Sequence, residues 1–255
     1  MEPLADISVR RLLPDEATVT IDEAASGLRL GERAPEERPY LALNMVASAD
    51  GKATIQGRTR ALGSEADRAL FHHLRTQADA VMVGAGTLRI ERYGRLVRLP
   101  ELRDKREREG LAPDPPAIVV SGRLLLPGDI PLLADADSRV FVITAAHGEL
   151  EDCAADVAYL RSPGPALELA PQLRALRTEH GVRSILCEGG PTLNWALLRE
   201  GLVDELFLTL SPQLAGGSDV PTIVTGDPLG DPRRLELVSL HAGDEQLFLR
   251  YGLVA

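Results

Sequence analysis

One short stretch carries the clearest chemical pattern of the chain: an apolar run that ends in a carboxylate, two glycines and a proline. Residues 184–193 read SILCEGGPTL. The apolar run predicts a strand, the glycines predict a turn, and Pro191 suits the first position of a helix. The N–H groups of Thr192 and Leu193 would then be free to bind an anion such as phosphate, and Glu188 would face the same crevice. An ordinary strand-to-helix connection with a solvated glutamate fits this stretch equally well.

A second glycine turn follows the apolar run at residues 80–83, where Gly84 and Gly86 precede Thr87. The third glycine of a G-x-G-x-x-G dinucleotide fingerprint is missing, because Arg89 occupies its place, and the spacing of a Walker A motif is also absent. A plain Rossmann domain is therefore not favoured. Two glycine turns at the carboxyl ends of parallel strands would share one sheet edge and would suit an extended phosphorylated cofactor.

Polar side chains elsewhere indicate a substrate side to the same crevice. Asn44, Ser48 and Asp50 follow a period of two along an apolar run, which places them on one side of a strand and its extension. Arginines are frequent between residues 89 and 108, and those at 92–98, nearest the second glycine turn, are the ones that could bind a phosphate. A solvated charged loop is the alternative for most of them.

Other common catalytic patterns are incomplete. His147-Gly148-Glu149 matches half of a zinc deaminase motif, but no Pro-Cys-x-x-Cys follows it. Cys153 and Cys187 lack the spacing of metal ligands or of a disulfide framework, and no Gly-x-Ser-x-Gly elbow is present. We therefore predict no metal site and favour hydride transfer, in which a bound cofactor carries the chemistry and the protein supplies placement and electrostatics.

Composition narrows the class of partner. The 255 residues carry a net charge of -10 and only 4% aromatic residues, which argues against nucleic acid or an anionic membrane as the main partner. No run of about 18 apolar residues occurs, and the first residues lack the apolar core of a signal peptide. We expect a soluble cytoplasmic protein that acts on a small molecule.

The apolar pattern predicts an α/β fold in three layers, α/β/α, with a mostly parallel mixed sheet and antiparallel strands at the C-terminus. Residues 1–38 are acidic and contain several prolines, and we expect an irregular N-terminal arm there, followed by one domain over 39–255. Strands are predicted at 40–48, 80–83, 117–121, 139–144, 156–160, 184–187, 205–211, 234–241 and 246–254, and helices at 64–75, 165–181 and 191–201.

Three motifs in this order make the chain recognisable: NMVASADGK at 44–52, LRTQADAVMVGAGT at 74–87 and EGGPTL at 188–193. Together they resemble the reductase domain of bacterial riboflavin biosynthesis, a stand-alone pyrimidine reductase family with a dihydrofolate-reductase-like fold. The resemblance covers 39–255, which would be the reductase domain. It implies NADPH-dependent reduction of 5-amino-6-(5-phosphoribosylamino)uracil to its ribityl form, with hydride passing to C1′ of the sugar. A homodimer formed through the C-terminal strands is also implied.

The resemblance further implies roles for individual residues. Asp50 and Glu188 would be catalytic, with Asp50 ordering the pocket. The substrate would contact Asn44, Ser48, Thr59, Arg75, Glu188 and one of Arg95 or Arg98, of which the arginines would suit the ribose phosphate. NADPH would contact Val46, Gly84, Gly86, Thr87, Glu91, Ser121, Gly189, Gly190, Pro191, Thr192 and Leu193.

Two positions depart from the family pattern. Asn44 stands where the family carries a lysine, and Ala61 stands where it carries an aromatic residue, so a positive charge and a stacking surface are missing. The incomplete zinc motif also predicts that no fused deaminase domain is present. These departures leave the substrate open. The uracil intermediate ranks first, dihydrofolate or another pterin ranks second, and a non-catalytic NADPH-binding protein is the alternative from another class.

Overall fold

The structure, a computed structural model, describes residues 7–254 and contains one mixed sheet of eleven strands. The strands are β1 (Ser8–Leu13), β2 (Ala17–Thr20), β3 (Tyr40–Ser48), β4 (Ala80–Gly84), β5 (Ala117–Val120), β6 (Arg139–Thr144), β7 (Asp156–Arg161), β8 (Ser184–Cys187), β9 (Glu205–Ser211), β10 (Leu235–Gly243) and β11 (Gln246–Leu253). The helices are α1 (Ile21–Ala24), α2 (Glu65–Leu74), α3 (Ala85–Glu91), α4 (Pro100–Arg108), α5 (Leu169–Thr178) and α6 (Pro191–Arg199), and a short 3-10 helix spans Leu30–Arg33.

The sheet has a parallel half and an antiparallel half. The strand order is β2-β1-β10-β11-β9-β3-β8-β4-β5-β6-β7. Every pairing from β9 to β7 is parallel, whereas β9, β11, β10, β1 and β2 pair antiparallel. The predicted mostly parallel sheet with antiparallel C-terminal strands is therefore confirmed.

Helices cover both faces of the parallel half. Leu173 of α5 and Leu197 of α6 pack with Met82 of β4 on one face. On the other face, Leu74 at the end of α2 packs with Ala42 of β3. Strands buried on both faces are apolar throughout, which is why β5 has no alternation and all its residues are buried. The predicted three-layer α/β/α architecture is confirmed.

The prediction of an irregular arm over residues 1–38 is wrong for much of its length. β1 pairs with β10, β2 pairs with β1, and Thr20 caps α1 in a reciprocal capping box with Glu23. Arg33 binds Glu205 of β9 at 2.8 Å. These strands are hard to predict from sequence. β1 buries only Val9, so it lacks an apolar alternation, and its partner β10 lies far away along the chain. Residues 1–6 of the predicted arm lie outside the described residues.

Two further helices occupy the arginine-rich stretch that follows β4. α3 begins directly at the second glycine turn, and α4 begins with Pro100 at its first position. Arg106 of α4 is completely buried, and its guanidinium donates to the carbonyls of Arg75 and, at 2.7 Å, Ala78. Burial lowers the pKa of Arg106 to about 10. α4 thereby fixes the C-terminal end of α2, from which Arg75 extends towards the candidate site.

Candidate active site

The carboxyl ends of β3, β8, β4 and β5 meet at one edge of the sheet, and both glycine turns lie there. The N–H of Gly84 donates to the carbonyl of Gly189 at 2.7 Å, so the two turns touch. Two cavities open at this edge and share Thr87. We call the larger one, of about 1040 Å³, the groove. The smaller one, of about 420 Å³, is the inner pocket.

Glycines and an uncapped helix end form the floor of the groove. No side chain caps α6, and the N–H groups of Thr192 and Leu193 in its first turn have no helical partner. A Cβ on Gly86 would meet no atom within 4 Å, whereas a Cβ on Gly190 would lie 2.7 Å from Oγ1 of Thr87. Gly190 therefore permits the close approach of Thr87, and Gly86 leaves room for a ligand beside the backbone.

Polar, basic and apolar side chains line the walls of the groove. Ser121 follows β5, and Arg123 is exposed nearby. Arg89 donates to the carbonyl of Leu125 at 2.7 Å. Apolar side chains, among them Leu167, Leu169 and Ala196, also line the groove. Hydrogen-bond donors for an anion, cations and apolar surface in one groove suit a nucleotide.

A buried ion pair lies in the inner pocket. Arg75, directly after α2, donates from Nε and Nη2 to the two carboxylate oxygens of Glu188, directly after β8, at 2.7 and 2.8 Å. Its third donor, Nη1, binds the carbonyl of Leu96 at 2.6 Å. Burial alone would lower the pKa of Arg75, but the attraction of Glu188 outweighs it and the pKa is raised. The structure thus brings these two predicted substrate contacts together and binds them to each other.

Two aromatic rings flank this ion pair. Cζ of Arg75 lies 4.2 Å from the ring centre of Phe71 and 5.4 Å from that of Tyr93, and both rings line the inner pocket. The departure at Ala61 predicts a missing stacking surface, but Phe71 and Tyr93 supply rings to the pocket from other elements. Burial, and then the charge of Glu188, raise the pKa of Tyr93 well above its usual value, so its hydroxyl stays protonated at neutral pH.

Arginines line much of the inner pocket, but they differ in how they are held. Arg95 lies near three aspartates, the closest being Asp137 at 3.1 Å. Arg98 is exposed and donates from Nε to the carbonyl of Arg95 at 3.2 Å. Of the two alternatives for the substrate phosphate, Arg98 is therefore the better placed. Arg60 and Arg68 also line the pocket, and sequence reasoning missed them.

Two further titratable side chains of α2 line the inner pocket, and sequence reasoning did not assign them to the site. Burial, followed by the charges of Arg75 and Arg98, lowers the pKa of His72 to about 4, so the imidazole is neutral at pH 7. Burial raises the pKa of Asp67, and the hydroxyl of Thr209 partly offsets this. Helical spacing could have identified Asp67 as a site residue. It lies eight residues before Arg75 and therefore on the same face of α2.

Asp50 and Ser48 lie outside the linings of both cavities. The carboxylate of Asp50 is fully exposed. It accepts the hydroxyl of Ser48 at 2.5 Å and the N–H groups of Ala215 and Gly216 at 3.0 and 2.7 Å, and these bonds lower its pKa to about 2. The linings of both cavities therefore do not include the predicted catalytic contact Asp50 or the predicted substrate contact Ser48, and both roles stay predictions. Asp50 orders the loop that follows β9.

The remaining predicted contacts divide between the two cavities. Val46 and Glu91, predicted for the cofactor, line the inner pocket together with Asn44 and Thr59, and Glu91 accepts the hydroxyl of Thr59 at 3.1 Å. Gly189 lines neither cavity, and a Cβ there would lie 3.0 Å from Sδ of Met45. The other predicted cofactor contacts line the groove: Gly84, Gly86, Thr87, Ser121, Gly190, Pro191, Thr192 and Leu193.

Within residues 7–254, no cluster of three or more His, Cys, Asp or Glu side chains is arranged to hold a metal ion. In the same part of the chain, none of the helices combines the length and the apolar character needed to cross a membrane.

Comparison with known proteins decides the family. The model of the RibD C-terminal domain matches residues 39–249. The chain belongs to the RibD C-terminal domain family. Two archaeal relatives are named 2,5-diamino-6-ribosylamino-4(3H)-pyrimidinone 5′-phosphate reductase. The one from Archaeoglobus fulgidus is 34% identical over 79% of this chain and 93% of its own length. The one from Methanothermobacter thermautotrophicus is 33% identical over 84% of this chain and 98% of its own length.

Solved structures agree with this membership of the RibD C-terminal domain family. A pyrimidine reductase-like protein from Corynebacterium diphtheriae is 25% identical, with a TM-score of 0.79 over 93% of this chain and 100% of that one. The predicted family and its reductase class are confirmed, as is the predicted fold. The family match begins at residue 39, so β1, β2 and α1 precede it, although both strands belong to the same sheet.

Proposed function

We propose that this chain is an NADPH-dependent reductase that converts the ribosylamino group of a phosphorylated 6-ribosylaminopyrimidine to a ribitylamino group. The observation that supports this best is the junction at Thr87, where a groove with an uncapped helix end adjoins a pocket lined by arginines. A cofactor in the groove and a phosphorylated substrate in the inner pocket would meet there. Such proximity is what reduction by hydride transfer requires.

The residues of the groove fit a dinucleotide. The free N–H groups at the start of α6 offer hydrogen bonds to a pyrophosphate, and the open side of Gly86 lets a ligand approach the backbone closely. NADPH, when bound, supplies the hydride that reduces C1′ of the sugar. The residues of this chain would bind the dinucleotide and orient it beside the inner pocket.

Arg123 is our candidate for the 2′-phosphate that distinguishes NADPH from NADH. It is exposed and lines the groove, and a guanidinium binds a phosphate through paired hydrogen bonds. Arg123→Gln should weaken NADPH binding by about 10-fold or more and leave NADH binding unchanged in a fluorescence titration. Arg89→Gln is the matched control, because that guanidinium already donates to the carbonyl of Leu125. An equal loss for both nucleotides would count against Arg123.

In the inner pocket we assign phosphate binding to Arg98 and substrate orientation to Glu188. Arg98 is exposed and is bound to the protein through Nε, so its terminal amino groups offer donors to an anion. Glu188 is held in one position by Arg75, and its carboxylate keeps lone pairs for the hydroxyl groups of a sugar. The neutral imidazole of His72 adds hydrogen-bonding capacity without a charge.

Two bases fit this proposal. The sequence ranks the uracil form first, whereas the two archaeal relatives are named for the 2,5-diamino-4(3H)-pyrimidinone form. Both carry the same phosphorylated ribosylamino group, so the reaction at the sugar is the same. C1′ gains a hydride, its bond to the ring oxygen breaks, and that oxygen takes up a proton.

The experiment that tests the proposal follows NADPH oxidation by the purified protein with each phosphoribosylaminopyrimidine and, in parallel, with dihydrofolate. We expect turnover with a phosphoribosylaminopyrimidine and only background oxidation with dihydrofolate. Comparable turnover of dihydrofolate would replace the proposal with pterin reduction. NADPH binding without oxidation of any of these compounds would favour the non-catalytic alternative, and a failure to bind NADPH would refute the proposal.

We also propose a homodimer formed through the C-terminal strands. The antiparallel half of the sheet carries large apolar side chains that are 38% to 45% exposed: Leu235, Leu237 and Val238 of β10 and Leu247 of β11. Exposed apolar side chains grouped on neighbouring strands are typical of a subunit interface. A second copy of the same chain would cover them from water.

A further inference from the structure

We propose that Asp67 reads the pyrimidine base of the substrate and selects a base that still carries its 2-amino group over the deaminated uracil. The inference rests on the proposed reduction of a phosphoribosylaminopyrimidine, and it adds the order of two reactions to that function. Asp67 lies in the first turn of α2 and lines the inner pocket. It is a specificity residue on this proposal, because it touches the base and not the reacting sugar.

The carboxylate of Asp67 is held beside open space with little to neutralise it. The hydroxyl of Thr209 and the charge of Arg68 favour its ionised form, but burial is the larger influence and raises its pKa. A Cβ on Gly63 would overlap Oδ2 of Asp67, so the glycine makes room for this side chain. A partly desolvated carboxylate that lines a cavity gains most from a ligand that donates hydrogen bonds to it.

The sheet and the helix place this carboxylate among the predicted substrate contacts. Thr209 of β9 is the register partner of Val46 on β3, and Val46 lines the inner pocket. Phe71 and Arg75 follow Asp67 at intervals of four residues, so the three lie along one face of α2 over about 12 Å. The pocket thus has an acceptor for hydrogen bonds at one end, an aromatic ring in the middle and a guanidinium at the other end.

The two candidate bases differ at the edge that a carboxylate reads. In the diamino form, the 2-amino group and N3–H are adjacent donors, and the two oxygens of Asp67 can accept both. In the uracil form, a carbonyl oxygen replaces the 2-amino group and would face a carboxylate oxygen. A site built to pair with a donor rejects an analogue that lacks it, because its charged acceptor is left unpaired. This edge lies across the ring from C6, which carries the ribosylamino group.

The preference of Asp67 sets the order of reduction and deamination. A reductase that requires the 2-amino group acts before that group is removed. The reaction that consumes the ribitylamino product must then be a hydrolytic deamination at C2, in which water supplies the new oxygen and ammonia leaves. A reductase that required the uracil form would be supplied by the same class of reaction instead.

The test compares kcat/KM for the two bases, with NADPH, in the wild type and in Asp67→Asn. We expect the wild type to prefer the diamino form by on the order of 10- to 100-fold. A carboxamide presents one acceptor and one donor, which match N3–H and the 2-oxygen of the uracil form, so Asp67→Asn should shift the ratio towards uracil by at least about 10-fold. Glu65→Gln is the matched control, because Glu65 is exposed in the same turn, and it should leave the ratio unchanged.

The outcomes separate this inference from the proposed function. A wild-type enzyme that reduces the uracil form as well as the diamino form, or better, overturns the role of Asp67 and leaves the reductase intact. Failure to reduce either base overturns the proposed function and this inference with it. A base ratio that Asp67→Asn leaves unchanged also overturns the role of Asp67 and leaves the reductase intact. Asp67→Ser, which likewise removes the carboxylate, is the second variant if Asp67→Asn does not fold.

Discussion

The buried ion pair between Arg75 and Glu188 offers a way to separate stability from activity. We consider three variants: Arg75→Met, Glu188→Leu and the double change. Each single change leaves one member of the pair with its hydrogen bonds unmade in a site where both side chains are less than 8% exposed. The double change removes both charges and replaces them with apolar side chains. The pair therefore supports a complete double-mutant cycle.

Breaking a buried ion pair by removing one partner costs about 3–5 kcal/mol in the free energy of unfolding. For a chain of this size, that loss lowers the melting temperature by about 6–20 °C. Replacing both partners with apolar residues is often neutral, so the double variant should recover most of the loss. Some loss should remain, because the carbonyl of Leu96 also loses its bond from Arg75.

The assay is thermal unfolding followed by circular dichroism, together with NADPH oxidation on the phosphoribosylaminopyrimidine. We expect the double variant to be nearly as stable as the wild type and yet inactive, because Glu188 is lost as a substrate contact. Arg174→Gln is the control: its pair with Glu37 is more than half exposed on both sides and should contribute less than about 1 kcal/mol. The reasoning fails if the double variant keeps its activity, or if the single changes cost no more than the control.

Three shorter predictions concern other parts of the chain. Gly190→Ala should weaken NADPH binding and lower the melting temperature, because its Cβ would press on Oγ1 of Thr87; unchanged affinity would mean that the turn adapts. Asp50→Asn should lower stability above pH 3.8, and the difference should vanish as pH falls through about 2, because a depressed pKa stabilises only the ionised form; melting curves at several pH values check this, and a difference that persists at pH 2 would contradict it. Leu237→Lys and Leu247→Lys should convert the proposed dimer to a monomer in light scattering; a wild type that is already monomeric removes the dimer proposal.

The parts of the site that sequence reasoning predicted correctly are those formed by neighbours in the chain. The strand, the two glycines and the helix around Glu188 are a local unit, and the structure contains that unit as β8, its turn and α6. The second glycine turn is equally local. Arg75 was assigned to the site only through the resemblance of its motif. The spacing of residues along α2 does not indicate that its guanidinium reaches the end of β8.

The side chains that local patterns place least well are those whose direction depends on distant elements. Asp50 continues the period of two that begins at Asn44, but β3 ends at Ser48, and the carboxylate of Asp50 accepts the N–H groups of Ala215 and Gly216 in the loop after β9. Asp67 lies within the helix predicted at 64–75, and no sequence pattern assigned it a contact in the site. Its N–H binds Oγ of Ser64 at 3.1 Å, while its carboxylate lines a cavity completed by other elements. A local sequence pattern cannot show which cavity a side chain will line.

The pairing of β1 with β10 affects how the chain folds while it is being synthesised. Arg10 faces Ala242 in the sheet, so β1 is synthesised long before the strand with which it pairs. Strand pairing over such a separation is slow, because the chain must lose loop entropy before any contact forms. During translation the β1–β2 hairpin therefore keeps an unpaired edge until β10 has emerged from the ribosome. We expect this edge to be the region in which nascent chains depend most on a chaperone.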